Sequence, residues 1–86
     1  MALTKPQIRE LQRASLDGPN KVRKAMGLAG VTQVQVARAI GITQPHVSEI
    51  VNGKYSSLPL DTARDFADFF GCALDDLFPR QRKAVA

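Results

Sequence analysis

The side chains best suited to recognition chemistry lie close together. They are Gln44, Pro45, Ser48, Glu49, Asn52 and Lys54. At helical spacing Gln44, Pro45, Ser48, Glu49 and Asn52 share an outer face, while Val47, Ile50 and Val51 point inward. The outer set carries hydrogen-bonding groups and little bulk. A glutamine amide can bond bidentately to adenine, proline can touch a thymine methyl, serine can bond several bases, and glutamate can accept from cytosine. No catalytic constellation accompanies them. His46 has no second ligand near it in sequence, and Cys72 has no partnered base. Neither an enzyme, a metal site nor a cofactor is expected.

Two helices joined by a tight turn must hold that face outward. Thr32-Gln33-Val34-Gln35 reads as a capping box, with Thr32 as cap and Gln35 reaching back to it. Val36, Ala37 and Ile40 form the inner face of this helix, and Gly41 stops it. Ile42 follows, Thr43 caps the next helix, Pro45 falls in its first turn, and Gly53 ends it. A three-residue connection of this kind sets two helices at a steep angle, and Ala37 is small where they must approach. The first helix presents free N–H groups and a positive dipole end at Thr32 and Gln33, which suits a phosphate. Asn52 and Lys54 stand at the opposite end, placed to hold a backbone rather than read a base.

The flanking chain reads as further helices. Thr4, Pro6 and Gln7 mark a start, with Leu3 and Ile8 as a hydrophobic staple, and the spacing predicts a helix over 5–15 with Ile8, Leu11, Ser15 and Leu16 on one face. Asp17-Gly18-Pro19-Asn20 breaks it. A helix over 20–28 should bury Val22, Ala25, Met26 and Ala29, with Lys21, Arg23 and Lys24 outside. After a loop at 54–57, a helix from Leu58 to Phe70 should bury Leu60, Ala63, Phe66, Ala67 and Phe70. A short last helix over 74–78 supplies Leu74, Leu77 and Phe78. No stretch alternates as a strand would, so the fold class is all-α.

Charge is unevenly distributed. The net charge is +4, but residues 1–58 hold eight Lys/Arg against three acids, and residues 59–79 hold five Asp against Arg64. A polyanion is drawn to the first region and to the basic 80–86 tail, and repelled between them. No apolar run reaches the ~20 residues of a membrane span, and the polar N-terminus does not resemble a signal peptide. With a single cysteine, a reducing cytoplasm is the expected location.

Residues 20–78 resemble the phage repressor/Cro type of helix-turn-helix domain, the XRE type. TQVQVARAIGITQPHVSEIVNGK carries the resemblance, followed at the expected distance by FADFFGCALDDLF. Gln33, Ala37, Gly41, Val47, Ile50, Asn52 and Gly53 fall in register. The resemblance implies a five-helix domain, here with an additional N-terminal helix, that binds double-stranded operator DNA as a homodimer and represses transcription. Gln44, Pro45, Ser48 and Glu49 would touch bases; Thr32, Gln33, Thr43, Asn52 and Lys54 would touch phosphates. Leu74, Leu77 and Phe78 are the candidate dimer surface. The implied division is an N-terminal helix or arm over 1–18, the DNA-binding domain over 19–79 and a disordered tail over 80–86, with no small-molecule ligand domain.

Three departures stand out. Met26 and Val51 occupy positions where the family often pairs a buried Arg with a Glu; an apolar pair can replace such a bridge without loss of stability, and the two should touch. Ala73 stands where a capping Ser is usual. The helix at 5–15 has no counterpart in the minimal domain. That helix is the feature favouring a competing function, a protein-interaction module whose partner could be a toxin.

Overall fold

The computed structural model describes residues 2–16 and 18–79. The described residues form six helices and no strand. They are α1 (Lys5–Arg13), α2 (Val22–Ala29), α3 (Gln33–Ile40), α4 (Gln44–Val51), α5 (Leu60–Phe70) and α6 (Leu74–Leu77). None is long and apolar enough to cross a membrane. Helix α3 packs against α4 and α5, α5 against α6, and α1 against α2 and α6. The expected tail at 80–86 lies outside the described residues.

Local signals start most of these helices. Thr4 Oγ1 accepts from the Gln7 amide at 3.3 Å, and Gln7 Oε1 accepts from the Thr4 amide at 2.9 Å. The same Gln7 donates through Nε2 to the Leu28 carbonyl at 2.8 Å. One side chain therefore caps the start of α1 and satisfies an orphan carbonyl in the last turn of α2. Thr32 and Gln35 form the equivalent box at α3, with bonds of 3.2 and 2.8 Å. At α6 only half the box exists. Asp76 accepts from the Ala73 amide at 3.0 Å, while Ala73 has no side-chain oxygen to cap and its backbone carbonyl takes the Asp76 amide at 3.0 Å instead.

One core joins all six helices. Leu11, Val22, Ala25, Val36, Val47, Phe66, Phe70 and Leu77 are fully buried. Leu3 and Leu11 belong to this same cluster, and the Leu3 amide donates to the Phe70 carbonyl at 2.8 Å. Burying two leucines contributes roughly 3–6 kcal/mol, so α1 is built into the domain. Val51 is buried, and Met26 is half-buried and packs against the same cluster.

Four expectations need correction. Helix α1 stops at Arg13, where Ala14 turns extended (φ −64°, ψ 142°). Ser15 and Leu16 therefore fall outside it, are exposed and share no helix face with Ile8 and Leu11. Helix α2 begins at Val22 rather than Asn20. Leu60 is the first residue of α5, and its side chain is 53% exposed. Leu77, expected on a dimer surface, is fully buried.

Candidate nucleic-acid interface

The connection between α3 and α4 consists of Gly41, Ile42 and Thr43. Gly41 takes φ 87°, a conformation open chiefly to glycine, and its amide and that of Ile42 both return to the Ala37 carbonyl, at 2.8 and 3.0 Å. Val36, Ala37, Val47, Ile50 and Val51 are buried on the inner side. The angle between the helices is thus held by packing on one side and by doubled hydrogen bonds at the bend.

On the outer side Gln44, Pro45, His46 and Glu49 are exposed and Ser48 is half-buried. Thr43 Oγ1 accepts from the His46 amide at 3.3 Å. Its hydroxyl thus caps α4, as its sequence position implies. Pro45 has no N–H, so the first turn of α4 keeps only the Gln44 amide unpartnered by the helix. The first turn of α3 differs. Thr32 caps Gln35, leaving the amides of Gln33 and Val34 facing outward beside a half-exposed Val34 side chain. An anion suits the start of α3, and side-chain chemistry dominates the start of α4.

The two helix starts are joined by a contact that spacing alone does not show. Gln44 Nε2 donates to Gln33 Oε1. That bond uses one N–H of the Gln44 amide and leaves its Oε1 and second N–H facing solvent, the acceptor–donor pair an adenine edge requires. It also leaves the Gln33 amino group able to donate to a phosphate oxygen. Residues assigned separately to positioning and to reading thus form one unit.

A second linkage lies at the far end of α4. Arg23 donates to Asn52 Oδ1 at 2.8 Å, and Asn52 Nδ2 donates to Ser48 Oγ at 3.4 Å. Lys54 is exposed, and its amide donates to the Glu49 carbonyl at 2.8 Å. The Glu49 carboxylate makes no ion pair among the described residues. Beneath this face Asn20 is buried. Its Nδ2 donates to the Ile50 carbonyl at 2.8 Å and to Tyr55 Oη at 3.3 Å, and its Oδ1 accepts from the Val22 amide at 3.0 Å. By sequence, Asn20 falls at the junction of a turn and a helix, and Arg23 on the outer side of that helix. The basic cluster at 21–24 hinted at an interface role for Arg23, and nothing local hinted at the buried role of Asn20.

Away from this face, Leu74 and Phe78 are half-buried, with Phe78 edge-on to Phe66 at 6.3 Å. Leu77 has no surface to offer a partner. Cys72 is half-buried, and burial first, then the neighbouring Asp76 carboxylate, pushes its thiol up to about 11. Among the described residues no group of three or more His, Cys, Asp or Glu is arranged to hold a metal ion.

Comparison with known families agrees with this geometry. A family model described as Helix-turn-helix matches residues 22–77. The chain belongs to the XRE-type helix-turn-helix family. This helix-turn-helix protein is a DNA-binding transcription regulator of that type. The match begins at α2 and ends at α6, so α1 lies outside the family's own domain while its Leu11, and Leu3 just before it, sit inside the core. No curated protein and no solved structure matches the chain.

Proposed function

We propose that this protein is a sequence-specific repressor that binds a palindromic operator as a homodimer, reading bases through Gln44, Pro45, Ser48 and Glu49. Thr32, Gln33, Thr43, Asn52 and Lys54 position the duplex backbone. The observation that carries this reading is the Gln33–Gln44 hydrogen bond, which presents an oriented amide at the exposed start of α4 beside the open amides of α3. An eight-residue helix is about 12 Å long, and base pairs rise about 3.4 Å each. One α4 therefore spans only three or four base pairs, and useful specificity requires a second half-site read by a second copy. In such a dimer Leu74 and Phe78 are the apolar groups of α6 and its end that still reach solvent.

A gel shift over a series of salt concentrations, with selected and scrambled duplexes, tests the reading. Affinity should fall steeply with salt. Gln44→Ala should cost about 1–3 kcal/mol on the selected site, with little change on scrambled DNA, and Gln33→Ala should weaken both. Sedimentation of the complex should give two chains per duplex. Wild-type protein that prefers no selected oligonucleotide would replace this reading with that of a protein-interaction module.

A further inference from the structure

We infer that Arg23 is a phosphate-binding residue of this interface, and that it links backbone contact at the end of α4 to base reading at Ser48. The inference rests on the DNA-binding reading above. A groove of about 590 Å³ runs between the end of α1, the start of α2 and the end of α4, and Lys21, Arg23, Lys24, Val51 and Asn52 are among the residues lining it. Three cations share its wall, but two are engaged. The Lys21 ammonium donates to the Leu11 and Gln12 carbonyls at 3.0 and 3.4 Å, capping α1. Lys24 lies 3.7 Å from a Glu10 carboxylate oxygen. Arg23 is exposed and makes no ion pair among the described residues. Its one described partner is the neutral oxygen of Asn52.

Among the described residues no carboxylate pairs with the Arg23 charge. A guanidinium carries five N–H donors in a rigid fork, so the bond to Asn52 fixes the group and leaves donors for a phosphate oxygen. The bond also turns Asn52. With Oδ1 held by Arg23, Nδ2 faces Ser48 and donates to its hydroxyl. The Ser48 hydroxyl, having accepted that bond, is left to donate its own proton. Phosphate binding at Arg23 and the hydrogen-bonding sense of Ser48 are therefore connected through one amide.

The test uses full-length protein with a selected duplex and a scrambled duplex over a salt series. Arg23→Gln removes the charge at an exposed position. Arg64→Gln removes an equal charge from the acidic α5 and serves as reference, and thermal melts confirm that both variants are folded. Arg23→Gln should make the slope of log affinity against log salt shallower by about 0.9 and weaken binding about fivefold on the scrambled duplex at 0.15 M salt, with a larger loss on the selected duplex as the base preference opposite Ser48 goes. Arg23→Lys should restore the slope but not the base preference opposite Ser48, since an ammonium lacks the fork. A slope unchanged by Arg23→Gln, or one changed equally by Arg64→Gln, overturns the inference while leaving DNA binding intact. Wild type without salt-dependent DNA binding instead removes the function on which it stands.

Discussion

Replacing Asn20 by alanine tests how the reading helix is held. Asn20 is 8% exposed and makes three hydrogen bonds. The consequences of deletion differ for each partner. The Ile50 carbonyl keeps a bond from the Gly53 amide at 3.0 Å, so it is not orphaned. Tyr55 is half-buried and can turn its hydroxyl to water. The Val22 amide belongs to a fully buried residue in the first turn of α2, where no helical carbonyl can serve it. Leaving a buried donor unsatisfied costs about 1–3 kcal/mol, and the two other bonds add roughly 0.5–1 kcal/mol together because their partners are rescued. The expected loss is therefore about 1.5–4 kcal/mol, against a total stability of roughly 4–13 kcal/mol for a domain this size. Urea unfolding at constant m-value measures it, and the melting temperature should drop by roughly 10–25 °C. Asn20→Asp sharpens the test. It keeps an acceptor for Val22 but sets a carboxylate oxygen against the Ile50 carbonyl, so it should be at least as damaging as alanine at neutral pH. Its burial raises the folded pKa of the new acid, so the deficit should shrink as pH falls and the carboxyl protonates. A loss below about 0.5 kcal/mol for Asn20→Ala, or full tolerance of Asp at neutral pH, would refute the reasoning.

Three further outcomes follow from single sites. Gly53 takes φ 71°, and a Cβ there would lie 2.6 Å from Pro19 Cγ. Gly53→Ala should therefore cost about 2–4 kcal/mol from left-handed strain and overpacking; the nearest atom is Pro19 Cβ, so in a double-mutant cycle Pro19→Gly, which removes that Cβ with the ring, should relieve the overpacking part only. Ala73→Ser should stabilise by about 0.5–1 kcal/mol in urea titration, because the new hydroxyl completes the capping box that Asp76 already half forms. Cys72, with its thiol pushed up to about 11 from 9.0, should react slowly with a chromogenic disulfide at pH 8 compared with unfolded protein. The sign for stability is equally definite. The folded state holds this proton more tightly, so the contribution is intact below pH 9 and is lost as pH rises toward 11. Cys72→Ser should flatten that part of the stability–pH curve, and an unchanged curve would remove Cys72 as its cause.

Much of the site was legible because its signals are local. A cap residue and its Gln or Glu partner lie three positions apart, a stopping glycine adjoins the turn it closes, and a helix face repeats every three or four residues. Thr32, Gln35, Gly41, Thr43 and the inner face of α4 all behave as those rules require. The same rules misplaced Leu60 and Ser15, since periodicity was carried past the point where each helix begins or ends. Leu77 failed for another reason. An apolar residue on a one-turn helix can face core or partner, and only the packing of α6 on α1 and α5 decides which.

The amino-acid order by itself determined the helix-turn-helix unit, its family and the outward set from Gln44 to Asn52, because caps, turn and periodicity act within a few residues of one another. Tertiary structure decided how that unit is held and linked. Asn20 reaches Ile50 across thirty positions, Arg23 reaches Asn52 across twenty-nine, and Gln44 reaches Gln33 across eleven. Asn, Arg and Gln side chains are equally suited to water, and nothing in their identity says which partner they meet. Which polar groups leave water is settled only when the helices pack and each buried donor must find an acceptor.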